Sequence, residues 1–309
     1  MPVPIEDVIA RIPGWDPHIV RHTPITGGLS HQVARVDTAD ARYILRVLDP
    51  EVSRVGLGIP LDQEIENTLR AAESGVGPRV CSVLSDVPAL ILEFIDGPTL
   101  SASDVREPAT ITRIAAACRG LHGMAGRFAN DFDISAKLDE LLTLCRAHGL
   151  RIPDGYEDHL ATVRDVGAAL AARPLPVVPC HNDLLAENFI DGGTAIRIVD
   201  YQLSGMNDPA FELGDIAAEA DFDPDLTSRL ATAYFGAETT PALVARVRLN
   251  LLLSNFTWTL WFSVHHGMLD RPDAGFDYWH EAADKWRQAV RDLSDPGLGR
   301  LLDTVRGRL

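Results

Sequence analysis

At 309 residues the chain is long enough for two lobes or domains, and 46% apolar with 23% charged residues excludes a disordered polymer. A formal net charge of −16 argues against a nucleic-acid partner, whose phosphates demand a basic surface, and suits a cationic small molecule. Cys81, Cys118, Cys145 and Cys180 form no C-x-x-C pair, and the N-terminal MPVPIEDVIARIPGW shows no apolar signal core. Reduced, buried thiols in a cytoplasmic protein are the expectation.

From Ile19 to Phe94 the pattern is mostly short β-prone runs: Ile19 to Thr26, Gln32 to Asp37, Arg42 to Leu48 and Ala89 to Phe94. One helix-like segment, Asp62 to Glu73, interrupts them. This order predicts a small antiparallel sheet with one helix. Between the first two runs, Thr26-Gly27-Gly28-Leu29-Ser30-His31 reads either as a phosphate-covering turn, with Gly28 admitting the backbone and Ser30 donating a hydroxyl, or as an ordinary hairpin turn. The only lysines are Lys137 and Lys285, so any phosphate-binding cation in the N-terminal part must be an arginine. Beyond Asp96 the chain turns helical, with periodic apolar residues around Ile111 to Leu121, Leu138 to Cys145 and Tyr156 to Ala172. The stretch from Leu249 to Leu269 lacks Asp, Glu, Lys and Arg, but Asn250, Ser254, Asn255, Thr257 and Thr259 make it a buried helix rather than a membrane span.

The stretch PCHNDLLAENFIDGGTAIRIVD carries the chemistry. His181-Asn182-Asp183, then Asn188, then Asp200 follow the order H-x-D-x-x-x-x-N with a later Asp. Phosphoryl transfer needs a group that orients a hydroxyl and accepts its proton, which Asp183 supplies. It also needs hard oxygen ligands for Mg²⁺, which Asn188 and Asp200 supply. Asp191-Gly192-Gly193 predicts a hairpin that draws Asn188 and Asp200 together. Asp208-Pro209 predicts a capped helix start. Phe256-Thr257-Trp258-Thr259-Leu260-Trp261 sets two indoles at i and i+3 on one helix face, where they form either a seat for an amine or plain core.

PCHNDLLAENFI, IVDYQLSGMNDPAFELGD and FTWTLW resemble the choline/ethanolamine kinase branch of the aminoglycoside phosphotransferase (kinase-like) superfamily, from about Ile25 to Trp286. The resemblance implies an α+β, protein-kinase-like two-lobe fold, with an N-lobe over 1–95 and a larger, mainly helical C-lobe over 96–309. It implies ATP and Mg²⁺ as cofactors, Arg46 as the phosphate-binding cation, and Glu66 as the helix acid that positions it, with Glu64 the neighbouring candidate. The adenine would bond to the carbonyl of Glu93 and the amide of Ile95. Asp183 and Asn188 are the implied catalytic residues, and Asp183, Gln202, Trp258 and Trp261 the acceptor contacts. The chain departs from the family at His31, at Gln202-Leu203 (an acid and an aromatic in relatives) and at Glu212 (commonly Asp). The expected activity is transfer of the γ-phosphate to a hydroxyl of choline, ethanolamine or a related amino alcohol. An aminoglycoside phosphotransferase, a thiamine or sugar kinase, and a non-catalytic pseudokinase are the alternatives. The seven residues between Asp200 and Asp208 leave no room for a peptide-docking activation segment. A homodimer fits the reading; a membrane or nucleic-acid partner does not.

Overall fold

The structure is a computed structural model that describes residues 3–16, 20–25, 30–84, 86–124, 126–269 and 276–308. The N-terminal part holds α1 (Ile5–Ile9), β1 (Arg21–Pro24), β2 (Gln32–Asp37), β3 (Arg42–Val47), α2 (Pro50–Arg54), α3 (Leu61–Glu73), β4 (Val80–Leu84) and β5 (Ala89–Glu93). The strands form one antiparallel sheet in the order β1-β2-β3-β5-β4. Alternate residues Ala34 and Val36 of β2 and Leu45 and Val47 of β3 point to one face, where α1 covers them with Val8 and Ile9. Three features differ from the sequence expectation. Val80–Leu84 is a fifth strand, and α1 and α2 add two short helices to the single helix expected. The first run is a strand only over Arg21–Pro24, and Ile19 and Thr26 lie outside the described residues.

The remainder contains α4 (Ala102–Val105), α5 (Pro108–His122), α6 (Ile134–His148), α7 (Leu160–Ala171), β6 (Val178–Cys180), β7 (Phe189–Asp191), β8 (Ile196–Ile198), β9 (Gly205–Asn207), α8 (Pro209–Glu219), α9 (Pro224–Phe235), α10 (Pro241–Met268), α11 (Tyr278–Leu293) and α12 (Leu298–Arg306). Asp49, Asp208, Asp223 and Thr240 each cap a helix whose first position is proline, with the side-chain oxygen accepting a backbone N–H. The 28-residue α10 is buried on nearly every side and packs against α6, α7, α8, α9, α11 and α12. Its Ser, Thr and Asn side chains bond within the fold: Thr259 donates to the carbonyl of Asn255 and Ser254 to Asp215. Among the described residues no helix is long and apolar enough to cross a membrane. Cys118, Cys145 and Cys180 are buried free thiols, whereas Cys81 is only partly covered, a correction to the expectation for all four.

Among the described residues, apolar packing and backbone pairing both help to hold the sheet-bearing part against the helical part. Val52, Val55 and Leu57, from α2 and just beyond it, pack into the same apolar core as α6, α7 and α10. Downstream of β5, the connector runs along β7: Leu100 N–H donates to the Phe189 carbonyl and Asp191 N–H to the Pro98 carbonyl, both at 2.9 Å. Gly97 makes that approach possible, since a Cβ there would stand 2.0 Å from the Asp191 carbonyl oxygen.

Candidate active site

The loop from His181 to Asn188 joins β6 to β7, and its backbone is fixed by carboxylates of α8. Glu212 accepts the N–H of His181 at 2.8 Å and of Asn182 at 2.7 Å, one oxygen each. Asp215, one turn on, accepts the N–H of Leu184 at 2.7 Å. Asn182 adopts a positive φ of 69°, and its side chain bridges the Leu203 carbonyl and Asn207. The longer side chain of Glu212 thus still reaches the loop, and it also contacts His122 Nε2 at 3.4 Å. Burial raises the Glu212 carboxyl, and His122, His181 and the backbone donors more than reverse this, leaving it below its ordinary value.

Asp183 stands between these anchors. Its carbonyl accepts from Asn188 Nδ2 at 2.8 Å, which leaves Asn188 Oδ1 as the oxygen free to act as a ligand. His181 is a structural residue: its Nδ1 accepts from Asp183 N–H at 3.2 Å and its Nε2–H donates to the Val199 carbonyl at 2.9 Å. Burial lowers its pKa, consistent with a neutral ring in that tautomer. The β7–β8 hairpin pairs Phe189 with Ile198, and Val199 N–H donates to the Asn188 carbonyl at 3.0 Å. Asp200, at φ 74°, therefore emerges beside Asn188, as the Asp-Gly-Gly turn predicted. Burial and the charges of Asp215, Glu219 and Asp200 push the Asp183 carboxyl well above its ordinary range, with Lys285 opposing them.

The sheet contributes Arg46 from β3. Its Nη2 donates to Glu64 of α3 at 3.0 Å and makes a short contact to Asp200 Oδ1. Burial would raise the Asp200 carboxyl, but the Arg46 guanidinium overrides it and the pKa falls to about 2. The helix acid that pairs with Arg46 is Glu64, the neighbouring candidate, and not Glu66, the one first expected. Glu66 is half-exposed and lies 3.6 Å from Arg70. The buried stripe of α3 is Glu64, Asn67, Thr68 and Ala71, so the positions facing Arg46 and the helical part are largely polar. Glu64 also accepts from His31 Nε2 at 3.2 Å, while His31 Nδ1 accepts the Asp49 N–H. Glu64→Gln is expected to lower the unfolding free energy by about 3 kcal/mol, because Arg46 loses a buried partner. Glu66→Gln should change it by less than about 0.5 kcal/mol, and urea denaturation compares the two.

The other sequence candidates distribute around this centre. Gly28 lies outside the described residues. Ser30 is buried and its Oγ accepts from Gln202 Nε2 at 3.0 Å; the same nitrogen donates to the Leu57 carbonyl at 3.0 Å. Trp261 Nε1 donates to that carbonyl as well, at 3.1 Å, and Trp258 Nε1 donates to Asp215 at 2.7 Å. Trp258 and Trp261 are only 3% and 6% exposed and belong to the core of the helical part, while their N–H groups are taken up by Asp215 of α8 and by the Leu57 carbonyl between α2 and α3. The Glu93 side chain pairs with Arg197 at 2.7 Å, and Ile95 lies in the connector between β5 and α4. Tyr278 of α11 stacks on His265 of α10 at 3.8 Å.

Sequence reasoning passed over Asp215, Glu219 and Lys285. Asp215 accepts from Leu184 N–H, Ser254 Oγ and Trp258 Nε1, and Glu219 pairs with Lys285 at 2.7 Å. The signal was present: PAFELGDIAAE sets acids at i, i+3 and i+7 on an otherwise apolar helix, and a buried carboxylate requires partners.

One loop and one hairpin thus hold Asp183, Asn188 and Asp200 in sequence, and Arg46 reaches Asp200 from the sheet. The family model described as APH, phosphotransferase enzyme family, matches residues 21–249. Protein LicA of Haemophilus influenzae is 23% identical over 275 residues, covering 82% of this chain and 79% of LicA. Ethanolamine kinase 1 of Homo sapiens is 25% identical over 295 residues, covering 81% of this chain and 63% of the human protein. The crystal structure of a choline/ethanolamine kinase family protein from Mesorhizobium loti superposes with a TM-score of 0.83 at 30% identity, covering 98% of both chains. The chain belongs to the phosphotransferase enzyme family, in its choline/ethanolamine kinase-like branch, and its fold is the two-lobe, protein-kinase-like α+β fold.

Proposed function

We propose that this protein is an ATP- and Mg²⁺-dependent kinase that phosphorylates a hydroxyl of a small amino alcohol of the choline or ethanolamine kind. The observation that carries the reading is the joint arrangement of Asp183, Asn188 and Asp200 by one loop and one hairpin, with Arg46 reaching Asp200 from the sheet. Asn188 Oδ1 and the Asp200 carboxylate are hard oxygen donors of the type Mg²⁺ takes, and they would hold it. The metal would supply charge neutralisation of the phosphate oxygens. Arg46, fixed by Glu64, pairs with phosphate oxygens through its planar fork. Ser30 borders the phosphates, and the Glu93 carbonyl and Ile95 amide receive the adenine edge. The sheet-bearing residues 1–95 and the helical residues 96–309 act as the two walls of the cleft.

In the transfer step the acceptor oxygen forms a bond to the γ-phosphorus as the bond from that phosphorus to the β–γ bridging oxygen breaks. Asp183 takes the hydroxyl proton, and ADP leaves. Gln202, Trp258 and Trp261 form the acceptor side, and the catalytic loop carboxylates favour an acceptor bearing positive charge. Cytoplasmic location and a homodimer complete the reading. The test is ADP release with choline, ethanolamine, aminoglycosides, thiamine and sugars, with and without a metal chelator. Chelator-sensitive turnover on the amino alcohols is the expected result. Turnover confined to aminoglycosides, thiamine or sugars would overturn the acceptor class, and release that survives the chelator would overturn the metal requirement.

A further inference from the structure

His122 ends α5, Cys180 ends β6 immediately before the catalytic loop, and Glu212 stands in the first turn of α8. All three are buried, and His122 Nε2, Cys180 Sγ and a Glu212 carboxylate oxygen lie within 4.8 Å of one another. Nε2 is 3.7 Å from Sγ and 3.4 Å from Glu212 Oε1. A zinc ion with bonds of about 2.3 Å to sulfur and about 2.1 Å to nitrogen and oxygen, at tetrahedral angles, sets N and S about 3.6 Å apart and N and O about 3.4 Å apart. The separations in the protein are those of a zinc ligand set. As hydrogen bonds they are loose, since a charge-assisted N–H···O contact closes to about 2.7–2.9 Å. The other neighbours of Cys180 Sγ are the carbonyls of Asn207 and Asp208, at 3.7 and 4.0 Å.

The surroundings suit the same chemistry. His122 Nδ1 lies 2.7 Å from the Tyr234 hydroxyl, which can accept an Nδ1–H and so leave Nε2 unprotonated toward Cys180 and Glu212. A metal-binding imidazole regularly has such a partner on its other nitrogen. Glu212 Oε1 accepts the His181 N–H at 2.8 Å and keeps a second lone pair to give. His122 is the last residue of the 15-residue α5, where the carbonyl end of the helix dipole favours a cation. A thiolate, a carboxylate and a neutral imidazole together balance a divalent ion, so the loaded site is buried without net charge. Thiolate with imidazole selects zinc over magnesium.

We propose that His122, Cys180 and Glu212 form a zinc site that ties α5, β6 and α8 together behind the catalytic loop, separate from the magnesium ligands Asn188 and Asp200. On binding, Cys180 releases its thiol proton to solvent, and Sγ, Nε2 and Oε1 each share an electron pair with the ion; nothing is oxidised. Three protein donors leave the fourth tetrahedral position to a water. The zinc holds the residue just before His181 and the carboxylate that accepts the His181 and Asn182 N–H groups. Its role is to fix the loop backbone, not to touch the substrate.

The experiment titrates chelator-stripped protein with Co²⁺ in excess Mg²⁺, following the near-ultraviolet thiolate-to-cobalt absorption, and then displaces the cobalt with Zn²⁺. One equivalent per chain is expected, with zinc raising the thermal unfolding midpoint. The absorption should vanish in Cys180→Ala and persist in Cys81→Ala and Cys145→Ala. Tyr234→Phe should keep it but weaken binding by about ten- to hundred-fold. Circular dichroism checks that Cys180→Ala folds. If it does not, His122→Gln, which leaves the thiol in place, should weaken binding at least as much as Tyr234→Phe. No absorption in the wild type, an absorption that survives Cys180→Ala, one that is lost with Cys81→Ala or Cys145→Ala, or an affinity unchanged in His122→Gln overturns the proposal. The kinase reading stands in each of those cases, because ADP release with magnesium is its own test.

Discussion

Asp183→Asn is expected to cut phosphoryl transfer by about 10²- to 10⁴-fold while making the free protein more resistant to heat near pH 8. The two effects have one cause. Asp183 is partly buried within the field of Asp215, Glu219 and Asp200, and its carboxyl titrates well above the value it has in an unfolded chain. Between the unfolded and folded pKa values the folded state keeps a proton that the unfolded state has released. The contribution of this group to stability therefore falls as pH rises through that window and stays low above it. Asparagine never ionises, so its advantage is present near pH 8 and disappears near pH 4. Thermal unfolding of both proteins at the two pH values measures this, alongside single-turnover ADP formation. A variant less stable than wild type at pH 8 would show that the Asp183 carboxylate holds the loop together rather than straining it.

Glu212→Ala should have the largest effect on stability. It leaves the N–H groups of His181 and Asn182 and the His122 ring without their acceptor, at about 1–3 kcal/mol for each buried donor. A loss of about 4 kcal/mol in urea denaturation is expected, with turnover failing in whatever fraction remains folded. Glu212→Asp keeps the charge on a shorter stem and should lie between. If Glu212→Ala unfolds at the same urea concentration as wild type, the α8 carboxylate is not what fixes the catalytic loop.

The catalytic hairpin was legible because its signals are local. Asp191-Gly192-Gly193 between two short apolar runs dictates a tight reversal, and the register of Phe189 with Ile198 then follows. Asp208-Pro209 was legible for the same reason, since an N-cap depends on the next few residues alone. The acid partner of Arg46 was not. Leu61, Ile65 and Leu69 suggest an inward apolar edge for α3, yet Leu69 is 40% exposed and the inward positions are Glu64, Asn67 and Thr68. That helix faces a polar network, in which Asn67 bonds Asn130, Ser204 and the Ala129 N–H, and only the tertiary arrangement reveals it. Val80–Leu84 escaped notice as a strand because it lies at the sheet edge and shows no buried alternation. Lys285 was conspicuous by its rarity, but its burial against Glu219 depends on how α11 and α8 both pack on α10.

On the proposed kinase reading, the contact between Arg46 and Asp200 pairs the phosphate-binding cation with a residue that would hold the metal. Magnesium alone would have to compete with that guanidinium for the carboxylate, whereas nucleotide phosphates would give the guanidinium somewhere else to go. Each ligand thus lowers the cost of admitting the other, and by linkage the assistance is mutual and equal in size. On that reading the metal and the nucleotide would enter as one unit, with the arginine changing partners as they arrive.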